Sequence, residues 1–526
     1  MNVRKKLRKS NWIYFWVVSI LLTTKIAYTQ GISTDGTIGA AQTLTGANVS
    51  IPQTLGKTAG NNLFHSFADF NIDKGQTVIF TGADNLQNVI SRVTGDNKSI
   101  IDGTLKSDIK NADFYFINPN GITFNANASV DLPAAFHVTT ADKMDFDKNG
   151  GVFYADLSKK SQLSSDSPAA LGFLGTSKVN NGLIDFNAAQ ITLNKTQTMD
   201  LVAGNISVEN HARPKSEAGE VRLVAMQGEG TASLVKTVDG VLPLPDKIPL
   251  SNNAGNISID DGIDTSGNGA GRVSVWGEKI ITGVIDANNN GDINATQTKG
   301  VYIIADAIKM ADYEHINSNT SNNGNAGNIT INTNSLDLGE YSSISSSVIS
   351  HSDNDTEGNA GNIYITSDAI RVINSSILSD TNFHGNAGMI TIQTKKLDVL
   401  GGGNISSSSG LNYGMRGTEE SGNAGNVKIT ADDIRIGGEN RTYTNGTVHY
   451  SRIQSDTASN GNAGDVSVKT KNLEINQGGQ ISSSTLGFNG SSNQKNYLVL
   501  YTLFADEKFN DLEDMVINTG KGGQYQ

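Results

Sequence analysis

From residue 253 onward, apolar residues come in pairs split by one polar residue, and the pairs recur in a fixed order. After Gly327 stand Ile329 and Ile331, then Leu336 and Leu338, then Ile344 within Ser342 to Ser347; after Gly361 come Ile363 and Ile365, Ile370 and Val372, and Ile377. The order repeats after Gly388 (Ile390, Ile392, Leu397, Val399, Ile405), after Gly425 (Val427, Ile429, Ile434, Ile436, Ile453) and after Gly464 (Val466, Val468, Leu473, Ile475, Ile481). Alternation of this kind puts every apolar residue on one face of a strand. Each unit therefore predicts three short strands with one apolar and one polar face. Gly-Asn-Ala-Gly precedes each of them, at 324–327, 358–361, 385–388, 422–425 and 461–464, with Asn253-Ala254-Gly255 a shortened relative. The alanines of the five full copies are 34, 27, 37 and 39 residues apart, so the unit is fixed and the loops vary.

No such unit can bury its apolar face alone. Stacked at about 4.8 Å per turn, successive units make three parallel sheets around a narrow aliphatic core, and parallel crossovers are overwhelmingly right-handed. The pattern predicts an all-β fold, a right-handed parallel β-helix over residues 251–492. Gly-Asn-Ala-Gly is expected at its corners, its small residues admitting neighbouring backbone and its glycines free to take positive φ. Serines after the third strand are placed for hydrogen-bonded ladders, and inserts such as 437–451 should project from corners. About 460 residues in coils of roughly 25 imply on the order of 18 turns and a rod of roughly 90 Å.

Upstream, the strand-like runs are less uniform. Phe70 and Ile72 alternate before Asp73-Lys74-Gly75, Val78 to Phe80 follows, Val89 to Val93 ends at Thr94-Gly95, and Ile100-Ile101 leads into Asp102-Gly103. The run Phe114 to Ile117 stops at Asn118-Pro119-Asn120-Gly121 and restarts as Ile122 and Phe124. That describes strand, tight turn and strand: Pro119 pre-sets the turn's φ, Asn120 or Gly121 supplies a positive φ, and Asn118 can bond its own backbone. Between 146 and 250 only Val221 to Val224 reads clearly as a strand, and Pro243, Pro245 and Pro249 mark a junction. At the other end, Tyr497 to Phe504 is apolar and aromatic, and Phe509, Leu512 and Val516 have helical spacing. Residues 493–526 read either as an amphipathic cap over the open last coil or as a truncated end.

Composition adds direction. Gly is 57 of 526 residues but Pro only 8, which favours tight turns between strands over collagen or disorder. Residues 1–29 look like a secretory signal peptide, basic from Arg4 to Lys9, apolar from Trp12 to Leu22, and ending Ala27-Tyr28-Thr29. Its apolar run is short for a membrane span, and stable transmembrane insertion is not expected. Removing it leaves 34 basic against 52 acidic side chains, a formal charge of −18, which argues against nucleic acid and anionic membrane as partners. The chain has no cysteine. Its stability must then come from a long core, and no disulfide would obstruct passage through a narrow pore unfolded.

The region 31–145 resembles the amino-terminal secretion domain of the filamentous haemagglutinin family, the exoproteins of two-partner secretion. The resemblance rests on Phe64-His65-Ser66-Phe67, on Asn88 to Gly95, on Ile101-Asp102-Gly103, on Asn118-Pro119-Asn120-Gly121-Ile122 and on Thr139-Thr140-Ala141, in the family's order. It implies a capped secretion domain over residues 30–250, followed by a β-helical shaft. It also implies export from a Gram-negative-type bacterium through the periplasm to the surface or medium, by way of an outer-membrane barrel whose periplasmic domains bind the secretion domain. The family's upstream Asn-Pro-Asn-Leu motif has only a degenerate counterpart in Asp84, Asn85 and Leu86. Within that resemblance, Asn118, Pro119, Asn120, Gly121 and Ile122 are the expected secretion motif.

Catalytic chemistry finds little support in the residues. Asp260, Asp261 and Asp264 lie close together and Asp432-Asp433 are adjacent, but neighbouring strand positions face opposite ways, and a glycosidase needs two converging carboxylates. His65 and His137 have no nucleophile or metal pattern beside them. The Gly-Asn-Ala-Gly turns lack the aspartate and short period of calcium-binding repeats. No catalytic residue, metal or cofactor is expected. An adhesin-like surface rod, with a host-cell, glycan or matrix receptor, is the favoured reading; a secreted β-helical enzyme acting on polysaccharide is the alternative.

Overall fold

The computed structural model describes residues 31–147, 150–175, 182–246, 248, 253–349, 357–381, 384–410, 422–438, 441–442, 448–457, 461–484 and 507–517. The expected signal peptide, the insert at 411–421 and the stretch Tyr497 to Phe504 lie outside them. Among the described residues there is no α-helix, only strands and one 3₁₀ turn at Gln53–Leu55.

One ladder runs through the whole molecule. Its strands are Asn62–Asp69, Asn88–Val93, Asp113–Ile117, Phe136–Thr139, Thr198–Ala203, Glu220–Ala225, Arg272–Asp286, Gly300–Met310, Asn328–Leu338, Ile363–Thr366, Ile390–Gln393, Val427–Gly437 and Val466–Ile475, each parallel to the next. The alternation read from the sequence sets the inward column: Ile329, Ile363, Ile390, Val427 and Val466 are register partners, all fully buried. Ile344, Ile377, Ile405, Ile453 and Ile481 form the matching column of the third sheet. The fold is a parallel β-helix.

Two expectations change, the length of the rod and the reason for the repeat glycines. The thirteen ladder strands span about 60 Å at 4.8 Å each, not 90 Å, because coils with their loops run longer than roughly 25 residues, as the repeat spacings of 34, 27, 37 and 39 show, and because chain also leaves the coil to build a separate layer. Lys143–Phe146, Val152–Tyr154, Pro168–Phe173 and Gly230–Ser233 form a four-stranded antiparallel sheet. It lies over the outer face of the early ladder and buries a second apolar cluster that includes Phe64, Ile90, Tyr115, Met144, Phe153 and Leu171. The axial core is aliphatic in the repeats, as their pattern predicts; nearer the amino terminus Phe67, Phe70, Phe80, Phe114, Phe116 and Phe124 fill it.

The repeat glycines owe their place to crowding rather than to φ. None of those in the five Gly-Asn-Ala-Gly corners has positive φ, but a Cβ on Gly388 would sit 2.1 Å from the Gly361 carbonyl oxygen of the previous coil. Residues 507–517, in which Phe509, Leu512 and Val516 have helical spacing, form the strand Glu507–Ile517, antiparallel to Val466–Ile475. The open ladder of the last coil offers unpaired N–H and C=O groups, and backbone pairing overrides local spacing. At the other end Ile32–Thr34 and Lys57–Ala59 pair antiparallel with Asn62–Asp69, capping the first strand.

The serine expectation holds in a specific form. Ser379 Oγ donates to the Gly361 carbonyl (2.7 Å) and accepts from the Gly388 amide (3.0 Å), stitching one corner to the next; Ser346 does the same with Gly327 and Gly361 at 2.7 and 3.1 Å. Of the insert 437–451, the described strands Arg441–Thr442 and Val448–His449 pair as an antiparallel ribbon.

Candidate functional site

Asp113–Ile117 pairs with Asn88–Val93 of the previous coil and Phe136–Thr139 of the next, and Ile122–Phe124 pairs with Ser99–Ile101 and Leu183–Asn187. The Asn118 turn is thus the corner between two sheets, and the strands on its two sides do not pair with each other. The Gly121 amide donates to the Asn118 carbonyl at 3.1 Å, closing the turn, and Gly121 takes the positive φ (+115°), with Leu183 packed so near that a Cβ would lie 3.0 Å from its carbonyl oxygen.

Asn118 itself is fully buried. Its Oδ1 accepts from the Asn120 amide at 3.0 Å, the local bond the sequence suggested, and its Nδ2 donates to the Asn97 carbonyl (3.1 Å) and Ser99 Oγ (3.0 Å) of the preceding coil. Asn120 Nδ2 donates to the Gly95 carbonyl at 2.7 Å, and the Asn118 amide donates to Thr139 of the next coil at 2.9 Å. One turn therefore joins three coils. Pro119 and Asn120 are half-buried and give the corner its outward surface.

The degenerate motif is built otherwise. Leu86 is buried and its amide closes a turn on the Ala83 carbonyl at 3.2 Å, but Asn85 is exposed and Asp84 makes an exposed ion pair with Lys110 at 2.7 Å. It precedes Asn88–Val93, whereas the Asn118 turn follows Asp113–Ile117, so the two turns stand at opposite ends of neighbouring strands.

The structure also gathers residues that the sequence reading did not connect. Phe64, Ile90, Tyr115, His137, Asp200 and Arg222 form one outward column on successive ladder strands. His137 stacks on Tyr115 at 4.3 Å and its Nδ1 lies 2.9 Å from Asp200; Arg222 Nε and Nη2 donate to both Asp200 oxygens at 2.7 and 2.9 Å. Burial raises the Asp200 carboxyl, but the charge of Arg222 and the bonds from His137 and Arg222 overcome it and hold the group down at about 2. Arg222 Nη1 then reaches the carbonyls of Ser233 and Pro243, both at 2.8 Å, fastening the antiparallel layer to the shaft. Arg92 makes a second latch: its Nε donates to Ser66 Oγ at 2.8 Å, and Nη1 reaches Ser161 Oγ at 2.9 Å and the Tyr154 carbonyl. A charged residue inside an apolar run, as in Met199-Asp200-Leu201 and Val221-Arg222-Leu223, was the available signal.

The other candidates are dispersed. Asp264 is bound by Lys215 at 2.9 Å, Asp261 by His211 at 2.9 Å, Asp432 by Lys471 at 2.7 Å, and Asp433 by Asn472 at 2.7 Å; Asp260 is exposed. His65 is buried between Phe67 and Phe80, and burial lowers its imidazole to about 4. Among the described residues no cluster of three or more His, Cys, Asp or Glu is arranged to hold a metal ion.

Residues 29–241 match the family model of the TPS secretion domain. Two solved structures are similar to the chain: the HMW1 secretion domain from Haemophilus influenzae, at 15% identity over 87% of this chain and 100% of that one with a TM-score of 0.46, and the filamentous hemagglutinin secretion domain, at 13% identity over 78% and 97% with a TM-score of 0.30. No curated protein matches. The family match takes in the Asn118 corner, Arg92 and Arg222, and all four strands of the antiparallel layer, and ends before Pro243 and the Gly-Asn-Ala-Gly repeats.

Proposed function

We propose, for a chain that its TPS secretion domain at residues 29–241 marks as a two-partner secretion exoprotein, that the Asn118 corner locks this domain into the form an outer-membrane transporter engages. The repeats behind it then stand at the cell surface as an adhesin-like rod. Two-partner secretion exoproteins are exported from Gram-negative bacteria, and the transporter is the partner the domain implies. The observation that carries the role of the corner is the burial of Asn118, whose side chain bonds the coil before it while its backbone bonds the coil after. Removing that side chain leaves the buried Ser99 hydroxyl without its partner, at a cost of roughly 1–3 kcal/mol, and cuts the tie to the Asn97 carbonyl. Pro119 and Asn120 supply the surface through which the transporter reads the corner.

The test is a full-length chain carrying Asn118→Ala and Asn120→Ala, expressed with its transporter. Loss of most surface export with the signal peptide still processed is expected, while Asn85→Ala at the exposed upstream turn leaves export intact. Normal export of the double variant would refute the assignment.

A further inference from the structure

A groove of about 450 Å³ runs along the outer face of the shaft beyond the antiparallel layer, where the early cover of the ladder has ended. Tyr302 and Tyr364 line it from one column, as register partners of Thr330 between them. Their rings therefore stand two strands apart, about 9.6 Å along the axis. Tyr302 is held firmly: the Arg272 guanidinium lies 3.8 Å from its ring centroid on one side, and its hydroxyl donates to the Gln297 carbonyl.

The corner asparagines form the long wall. Asn359 receives the amide and Nδ2 of Asn386 on its Oδ1 at 2.8 and 3.1 Å and gives one hydrogen of its own Nδ2 to Asn325 at 2.9 Å. Its plane is fixed, and one amide hydrogen remains for a partner outside the coil. The lining contains no Asp, Glu, Lys or Arg, although the chain as a whole carries 52 acidic and 40 basic residues. Two aromatic rings on one column, the first held by Arg272, with amides and hydroxyls beside them and no charged side chain in the lining, suit a ligand with apolar C–H faces and many hydroxyls.

We infer that the Tyr302–Tyr364 groove binds a neutral, extended oligosaccharide lying along the shaft axis. The inference deepens the surface-rod reading and rests on it, because an exported shaft is what meets the glycans of other surfaces. The experiment is isothermal titration of the purified full chain with neutral tetrasaccharides of glucose, mannose, galactose and N-acetylglucosamine. Saturable binding of at least one is expected. Tyr364→Thr should weaken it about tenfold or more, in a column that already accepts Thr330 and Thr391 as neighbours, and Lys428→Ala, farther along the same column, should leave it unchanged. Absence of saturable binding across the panel, or binding undiminished by Tyr364→Thr, would overturn the inference. Adhesion of cells displaying the chain is scored separately: adhesion no better than that of cells without it counts against the surface rod, while the titration still decides the groove.

Discussion

Along the corner after the third strand, Asn319, Ser347, Asp380, Ser408, Asp456 and Ser484 follow one another coil by coil. Asn319 Oδ1 accepts from the Ser345 hydroxyl and the Ser347 amide, both at 2.7 Å, and Asp380 Oδ1 accepts the same pair from Ser406 and Ser408 at 2.7 and 2.6 Å. An amide thus does at one level what a carboxylate does two coils later. The charge is a liability there: burial, against the bonds from Ser406 and Ser408, pushes Asp380 up to about 6, with Asp456 adding to the rise. A carboxyl whose folded pKa exceeds its unfolded value near 3.8 stabilises fully below that value, and the contribution is lost as pH rises through about 6. Asp380→Asn should therefore stabilise the shaft at pH 7 by roughly 1–3 kcal/mol and flatten the decline in melting temperature between pH 4 and pH 7. Equal melting of variant and parent at pH 7 would count against it. At this scale the sequence was half legible: the bond of Asn118 to its own turn could be read from Asn-Pro-Asn-Gly, but its partners Asn97 and Ser99 belong to another coil, and no local pattern names them.

At the level of the strand, the repeats act through their ladder bonds. The Ile363 amide donates to the Met389 carbonyl and the Ile390 amide to the Asn426 carbonyl, each at 2.9 Å. Proline at either position removes the donor within a paired strand. If coils dock one on another as the chain emerges, so that growth of the solenoid biases transport outward, then Ile363→Pro and Ile390→Pro should lower surface yield and open the repeats to protease while residues 31–241 stay resistant. Unchanged yield from both would remove the docking idea. The repeat strands were plain in the sequence because Ile, Val and Leu alternate with polar residues within each short run from Ile329 to Ile475. The antiparallel layer was not, since Met144, Phe153 and Leu171 face a second core that no period announces, and its latches come from Arg92 and Arg222 on distant strands. Glu507–Ile517 misled for a related reason: its spacing suited a helix, but the vacant edge of Val466–Ile475 offered backbone partners.

As a whole, the molecule is a capped and latched amino-terminal region, where residues 29–241 match the TPS secretion domain model, continuous with a plainer shaft. The first part has a phenylalanine-rich core, an outer layer and a buried ion network; the second has an aliphatic core, stitched corners and loops of varying length. The division follows the work proposed for each: one rigid surface for a transporter to recognise, then units that stack one after another and carry contacts outward. With no cysteine anywhere in 526 residues, nothing covalent opposes threading the chain unfolded through a pore. The most direct measurement is protease shaving of intact cells that express the full chain with and without its outer-membrane transporter. Protease-accessible chain is expected at the surface only when the transporter is present, with retention or degradation in the periplasm when it is absent. Equal amounts at the surface in both strains would contradict that expectation.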